Sequence, residues 1–278
     1  MTTAVLLATT EAGAGRLAAA LAVAGTTPVV RLTSQLAPRV DDVRLLTRPT
    51  LAPSAPVDFP LLTGDLCGDL DLLAEVLEAG SAPVLLVHAE LVLSGALLDV
   101  VLADPRSAVT AVVGPPDDGG WPVRTAGGVV VAAGSPFHSV TGSSESLRGV
   151  VRVPAQQRSL VAKAARSAAD ELRGARMPVL DHAAPQDALA VLIVALARTG
   201  VRVRTVPVRG FVCARVLDGM SADRAAAHLE RVDEDRARMD AAVKPDDGFT
   251  GTFLVSPYSK RLARQAARWQ VRPNTVTV

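Results

Sequence analysis

The amino-acid sequence predicts an α/β fold with a mostly parallel central sheet. Short runs rich in Val and Leu alternate with segments of helical periodicity, as expected where crossover helices join parallel strands. The runs are apolar at consecutive positions, which is typical of strands buried on both faces. With 278 residues, 49% of them hydrophobic, the chain is long enough to bury a substantial core in one large domain or two small ones.

Apolar runs, caps and turn residues place the expected elements along the chain. Strands are expected at 4–8, 28–32, 43–46, 83–87, 108–113, 147–153 and 201–208, with a hairpin at 123–133. Helices are expected at 16–23, 69–78, 94–103, 156–172 and 185–198. A long amphipathic helix is expected from Ser221, as its N-cap, to Val243.

The cysteine and histidine counts exclude several kinds of site. Two cysteines are too few for a disulfide scaffold or a four-thiolate zinc site, and the four histidines have no metal-ligand spacing. No apolar run approaches the ~18 to 20 residues of a membrane span. These observations favour a reduced, cytoplasmic setting.

Charge is unevenly distributed along the chain. The net charge is +1 in total, yet the segment from Ser256 to the end has five cations and no acid, which leaves −4 on residues 1–255. We therefore expect the C-terminal tail and the body of the domain to contact different partners.

The first segment that suggests chemistry is the turn after the first strand, which contains Gly13 and Gly15. A strand that leads through small residues into a helix presents backbone N–H groups and a helix dipole to an anion. The alternative is that the two glycines only form a tight turn. The segment resembles the glycine-rich signature of sugar-phosphate nucleotidyltransferases, although one residue between the second glycine and Arg16 is missing.

This resemblance implies a Rossmann-like, GT-A-like three-layer sandwich and a nucleotide such as CTP in the cleft. It implies nucleotide binding by Thr9, Thr10, Gly13 and Gly15, with Arg16 as the catalytic cation. The family has a Pro-Lys pair after the first helix, whereas this chain has no lysine before Lys163. Arg31 is the substitute cation expected there, although arginine does not reproduce a lysine point charge.

The family also has a Mg²⁺-binding aspartate after a central strand. Here the strand is followed by His88 and Glu90, so the resemblance implies Mg²⁺ at Glu90. The alternative is that both are ordinary polar residues at the carboxyl edge of the sheet, where open α/β sheets bind ligands. Asp181-His182 is a weaker candidate for the second metal aspartate, and a helix N-terminus explains that pair equally well.

Two further segments have weaker interpretations. The loop from Gly64 to Gly68 is a candidate for contact with a nucleotide base, or simply a turn. Asp69-Leu70-Asp71 has the letters of the metal motif of GT-A glycosyltransferases, but it lies at the start of a predicted helix and is expected to cap it. A glycosyltransferase is therefore the lowest-ranked function.

The second informative segment is the C-terminal tail. Tyr258, Leu262, Ala266 and Trp269 recur at steps of four, four and three, so they share one face of a helix. This tail, with its final Pro273-Asn274-Thr275-Val276-Thr277, resembles the segment that leads into the first transmembrane helix of actinobacterial CDP-alcohol phosphotransferases. The expected membrane-surface residues are Tyr258, Lys260, Arg261, Arg264, Arg268 and Trp269. The alternatives are a helix packed on the body or a nucleic-acid-binding tail.

Together the resemblances imply a nucleotidyltransferase-like domain at 1–243 and a juxtamembrane segment at 244–278, at the cytoplasmic face of the cell membrane. If the domain is active, the implied reaction is Mg²⁺-dependent transfer of CMP from CTP to a polyol phosphate such as inositol 1-phosphate. The alternative is a catalytically degenerate domain that serves dimerisation, docking or regulation of the membrane enzyme. The resemblance also implies a homodimer. From the tail pattern we expect an anionic membrane surface as partner and no binding of nucleic acid.

Overall fold

The structure is a computed structural model, and it describes residues 2–13, 15–51, 60–105, 107–116, 119–174 and 187–232. Within these ranges the strands are β1 (Thr3–Ala8), β2 (Asp42–Thr47), β3 (Leu61–Leu62), β4 (Val84–His88), β5 (Leu91–Leu93), β6 (Val109–Gly114), β7 (Trp121–Ala126), β8 (Val129–Ala133), β9 (Glu145–Val153), β10 (Val203–Pro207) and β11 (Cys213–Arg215). The helices are α1 (Pro28–Leu36), α2 (Leu66–Glu78), α3 (Gly95–Leu102), α4 (Arg158–Gly174), α5 (Ala188–Arg198) and α6 (Gly219–Arg231), with short 3₁₀ turns at Ala18–Ala20 and Ala155–Gln157.

The central sheet is mixed, so the expectation of a mostly parallel sheet was wrong. Nine strands of the described residues follow the order β3-β2-β1-β4-β9-β6-β10-β8-β7, and an additional pairing of β9 with β7 closes five of them into a ring. The first four strands in that order are parallel, as is the pair β6 and β10, whereas β9, β8 and β7 join their neighbours antiparallel. The strands β7 and β8 form a hairpin, whose short turn permits only antiparallel pairing.

Apolar side chains cover both faces of this sheet and give three layers. In β1, Val5 and Leu7 pack into one core cluster with α2, α4 and α5, whereas Ala4, Leu6 and Ala8 pack into another with α1 and α3. Alternate residues of a strand point to opposite faces, so a continuous apolar run serves two cores. A third, smaller cluster packs α6 against the two-stranded pair of β5 and β11.

Two elements near the N-terminus differ from expectation. No helix covers 16–23, where only the 3₁₀ turn at Ala18–Ala20 forms among the described residues, and residues 28–32 belong to α1 rather than to a strand. The side chain of Thr27 accepts the Val30 N–H, and Pro28 occupies the first turn, so the segment begins with a good helix cap and an N-terminal proline. These cap residues override the strand preference of Val29 and Val30.

Three short strands were not predicted, and the N-cap of α6 was predicted at the wrong residue. β3, β5 and β11 have two or three residues each, too few to show a periodicity. Ser221 is not the N-cap of α6, because Asp218 holds that position and the two residues form a capping box. The expected helix to Val243 is described only as far as Arg231, and residues 233–243 lie outside the described ranges.

Candidate functional site

The candidate site lies at the carboxyl ends of β1 and β4. These strands are parallel neighbours with Leu7 opposite His88, so the residues that follow them emerge at the same edge of the sheet. The hydroxyl of Thr10 donates a 2.8 Å hydrogen bond to Oε1 of Glu90 across 80 residues of sequence. The sheet therefore brings together two of the residues that the sequence marked as candidates.

Arg215 enters this site from the two-stranded sheet. β11 runs antiparallel to β5 with Arg215 opposite Leu91, and the Val216 N–H donates to the carbonyl of Glu90 at 3.0 Å. This register places the guanidinium beside the Glu90 carboxylate. Its Nε donates to Oε1 at 2.8 Å and its Nη2 lies 2.7 Å from the same oxygen.

Asp187 is the second acid of the site, and it is the N-cap of α5. Its Oδ1 accepts the Ala190 N–H at 3.0 Å and lies 3.1 Å from Nε2 of His88. Its Oδ2 accepts from Nε1 of Trp121 at 2.8 Å and from Nη1 of Arg215 at 3.0 Å. One guanidinium thus bridges two carboxylates that come from different parts of the chain.

The acids of this network and His88 are buried. Glu90 is 0% exposed, Asp187 2% and His88 5%. Two polar atoms of the network, Oε2 of Glu90 and Nδ1 of His88, are buried without a hydrogen-bond partner. Because the Asp187 carboxylate can only accept, Nε2 of His88 carries a proton and donates it to that carboxylate.

Opposite charges keep both acids ionised in spite of their burial. Burial pushes the pKa of Glu90 upward, but the charges of Arg215 and His88 and the hydrogen bonds from Thr10 and Arg215 outweigh it, so the pKa lies below its usual value. Burial likewise opposes ionisation of Asp187, and His88 and Arg215 lower its pKa in spite of that. Burial alone would lower the pKa of Arg215, and the two acids raise it instead.

The glycine-containing loop is closed by its own hydrogen bonds. Gly13 and Gly15 have φ values of +87° and +70°, which only glycine adopts freely. The side chain of Glu11 accepts the Gly15 N–H at 2.8 Å, while the N–H groups of Ala12 and Arg16 donate to carbonyls inside the loop. The loop leads into the 3₁₀ turn at Ala18–Ala20 instead of an α-helix, so it lacks the helix dipole that favours an anion.

The other predicted nucleotide-binding residues lie around this loop. Thr9 and Thr10 are half-buried at the end of β1, and Arg16 is exposed in the loop. Arg31 lies on α1, where its Nε is buried without a hydrogen-bond partner. Of the predicted nucleotide-binding and catalytic residues that the structure describes, only Thr10 forms hydrogen bonds within the network around Glu90.

The Asp69-Leu70-Asp71 motif belongs to the core and to a surface ion pair. Asp69 is fully buried and accepts from Arg48 and Thr63, whereas Asp71 pairs with Arg173 on α4. Asp65, not Asp69, caps α2 by accepting the Gly68 N–H at 2.7 Å. The two aspartates therefore serve separate partners, and the loop 64–68 is a helix cap.

Asp187 and Arg215 were missed from the sequence. Asp187 directly precedes the helix of 188–198, and an aspartate there is a recognisable N-cap signal. Asp181-His182 was instead proposed for the second metal-binding acid, and that pair lies outside the described residues. Nothing in the short β11 segment marks Arg215, because its role depends on the pairing with β5. The tail residues Tyr258, Lys260, Arg261, Arg264, Arg268 and Trp269 also lie outside the described residues.

Magnesium does not fit the site as these side chains are arranged. Among the residues described, no group of three or more His, Cys, Asp and Glu is placed to hold a metal ion. The carboxylate of Glu90 is already paired with a guanidinium, whereas Mg²⁺ needs oxygen ligands in a near-octahedral arrangement.

The described helices also include none long and apolar enough to cross a membrane.

Comparison with solved structures identifies the fold. The inositol-1-phosphate CTP transferase from T. maritima matches with a TM-score of 0.58 at 11% identity, over 82% of this chain and 96% of that one. The CTP:phosphocholine cytidylyltransferase from Streptococcus pneumoniae matches with 0.57 at 12%, over 82% and 99%. This chain has a nucleotidyltransferase fold.

A putative glucose-1-phosphate thymidylyltransferase from Bacillus anthracis matches equally well, with a TM-score of 0.58 at 10% identity over 84% of this chain and 97% of that one. No family model and no curated protein sequence matches the chain. The chain therefore shares its fold with proteins named for several different substrates, at sequence identities of only 10%, 11% and 12%. Fold alone does not assign an activity, so the function depends on the site.

Proposed function

We propose that the chain is the cytosolic, nucleotidyltransferase-fold domain of a membrane CDP-alcohol phosphotransferase, that it does not transfer nucleotidyl groups, and that it docks or regulates the membrane enzyme. The observation that carries the loss of transfer activity in this proposal is the bond between the Glu11 carboxylate and the Gly15 N–H. The Gly15 N–H already donates to a carboxylate of the protein, so it is not available to donate to a phosphate.

Four further features of the loop and its surroundings support the loss of transfer activity. The N–H groups of Ala12, Arg16 and Ala18 all donate to backbone carbonyls of the loop region. A fixed negative charge at Glu11 repels a triphosphate, and the lysine expected after the first helix is absent. The nearby Glu90 is neutralised by Arg215 rather than left free for a metal.

The membrane part of the proposal rests on the pattern of the tail. Five cations without an acid, together with Tyr258 and Trp269 at a spacing that would place them on one face of a helix, suit an anionic lipid interface, where each cation contributes ~1 kcal/mol. We expect the full chain to sediment with vesicles that contain anionic lipid, and a chain ending at Val255 to stay in solution. Neutral vesicles provide the control, and equal sedimentation of both chains on anionic vesicles would contradict the assignment.

A second candidate function is CMP transfer from CTP to a polyol phosphate such as inositol 1-phosphate, and the likeness to the inositol-1-phosphate CTP transferase favours it. The two candidates differ in one reaction product. Incubation of the chain with CTP, inositol 1-phosphate and Mg²⁺ should release no pyrophosphate above a no-protein control if our proposal holds. Pyrophosphate release that falls in Arg16→Ala and Glu90→Gln would establish the second function instead.

A further inference from the structure

The network around Glu90 contains a cation of its own. The guanidinium of Arg215 contacts three different oxygens, which are Glu90 Oε1, Asp187 Oδ2 and Thr10 Oγ1, the last at 3.4 Å. Two carboxylates and a hydroxyl are the hard oxygen donors that Mg²⁺ and Mn²⁺ prefer. The guanidinium therefore lies among oxygen atoms of the type that bind divalent cations.

We infer that Arg215 is a built-in replacement for a divalent cation, and that the oxygens of Glu90, Asp187 and Thr10 form a latent metal site that opens when this side chain is removed. The inference goes beyond the proposed function, because it holds whether or not the domain binds a nucleotide.

Burial and charge explain why a cation must be present. Glu90 and Asp187 are almost completely buried, and two carboxylates without a nearby positive charge cannot both stay ionised there. Arg215 is itself held inside this network, with a side chain that is 13% exposed. A fixed guanidinium supplies the charge permanently, so the folded chain needs no metal to neutralise its acids.

An unused ligand atom provides an independent observation. Oε2 of Glu90 is buried and has no hydrogen-bond partner, although a buried carboxylate oxygen normally has one. With Arg215 present, the guanidinium reaches only Oε1. A divalent ion in place of the guanidinium has a second carboxylate oxygen available on the same residue.

The other neighbours of Asp187 support the site from outside. His88 and Trp121 donate to Asp187 by side-chain N–H groups, and the Ala190 N–H does so from the backbone. None of these three donors is lost when Arg215 is replaced. They would keep the Asp187 carboxylate oriented, as outer-shell groups do at metal centres.

The test uses Mn²⁺, whose binding is read directly by electron paramagnetic resonance and by its effect on thermal unfolding. The wild-type chain should leave Mn²⁺ free and unfold at the same temperature with or without it. Arg215→Ala should unfold at a lower temperature without metal, should bind one Mn²⁺ per chain, and should recover several degrees when it does. The double variant Arg215→Ala with Glu90→Gln should lose that binding.

Two results would overturn the inference. One is stoichiometric Mn²⁺ binding by the wild-type chain that disappears in Glu90→Gln, because the site then takes metal in the presence of Arg215. The other is a folded Arg215→Ala protein that binds no Mn²⁺. If Arg215→Ala does not fold, Arg215→Gln removes the charge with less loss of volume, and the wild-type measurement still decides the first point. Nucleotide turnover is not a readout here, so failure of the proposed function is recognised separately.

Discussion

Nη1 of Arg215 lies 3.0 Å from Oδ2 of Asp187, a contact that joins β11 to the N-terminus of α5. The same guanidinium reaches Glu90 just after β4, so one side chain connects three segments of the fold. Because the network is buried, its members depend on one another for their charge and their hydrogen bonds.

Replacement of Arg215 should destabilise the chain strongly. Arg215→Met leaves two buried carboxylates without their positive partner, and removal of one partner of a buried ion pair costs about 3–5 kcal/mol. Urea unfolding measures this loss. Arg209→Met is the matched control, since Arg209 is exposed on the loop before β11 and should tolerate the change. Equal unfolding free energies for the two variants would contradict a role of the network in stability.

The network should also make stability depend on acid pH. Glu90 and Asp187 have folded-state pKa values below their usual ones, so the unfolded state binds protons first as the pH falls. Their contribution is therefore complete above about pH 5 and is lost as the pH falls below the unfolded values of about 4.

Glu90→Gln separates this effect from the other acids of the chain. The variant should be less stable at neutral pH, because a buried ion pair is lost, but its free energy of unfolding should fall less steeply between neutral and acid pH than that of the wild type. Urea unfolding across a pH series measures both slopes. Parallel slopes would show that Glu90 does not contribute to the acid response.

Gly149 should resist substitution because of its contact with His88. A Cβ at this position would lie 2.4 Å from Nδ1 of His88, and the backbone φ of +70° is itself unfavourable for other residues. Gly128 has the same φ of +70°, but no atom lies within 4 Å of the point that a Cβ would occupy there. Gly128→Ala therefore carries the backbone cost alone.

We expect Gly128→Ala to lose about 1–3 kcal/mol for its left-handed backbone, and Gly149→Ala to lose clearly more. Thermal or urea unfolding of the two variants measures the difference. A Gly149→Ala protein no less stable than Gly128→Ala would mean that His88 moves away at no cost.

Arg158 should stabilise the C-terminus of α2. Its Nε and Nη2 each donate a 2.7 Å hydrogen bond, to the carbonyls of Leu77 and Val76, which end a helix and lack helical donors. Arg158→Met should lose about 1–3 kcal/mol, the cost of unsatisfied buried acceptors. The control is Arg198→Met, which removes an exposed ion pair with Glu171, worth about 0–1 kcal/mol. Similar losses for both variants would contradict the capping role.

The layered α/β architecture was predictable because long apolar runs and helix caps are local signals. β4, β6, β9 and α5 lie close to their expected positions for this reason. The direction of β9 was not predictable, since antiparallel insertion between β4 and β6 depends on pairing partners distant in sequence. The β-branched residues after Pro28 led to the wrong prediction of a strand at 28–32, although Thr27-Pro28 is a recognisable signal for the start of a helix.

The candidate site was predictable only in part. Thr10 and Glu90 were found because each follows an apolar strand, and residues after parallel strands gather at one edge. Arg215 was not found, because its place beside Glu90 is fixed by the three-residue pairing of β11 with β5. The hydrogen bond from the Gly15 N–H to Glu11 was also missed, because no sequence pattern indicates that a side chain will bond to the backbone of its own loop.

In this nucleotidyltransferase fold the Gly15 N–H of the loop is bonded to Glu11, and the charges of Glu90 and Asp187 are paired with Arg215. Isothermal titration of the full chain with CTP, in the presence and absence of Mg²⁺, tests most directly whether these contacts exclude a nucleotide. We expect no saturable heat of binding under either condition. Saturable binding of CTP that requires Mg²⁺ and weakens in both Arg16→Ala and Glu90→Gln would contradict this expectation.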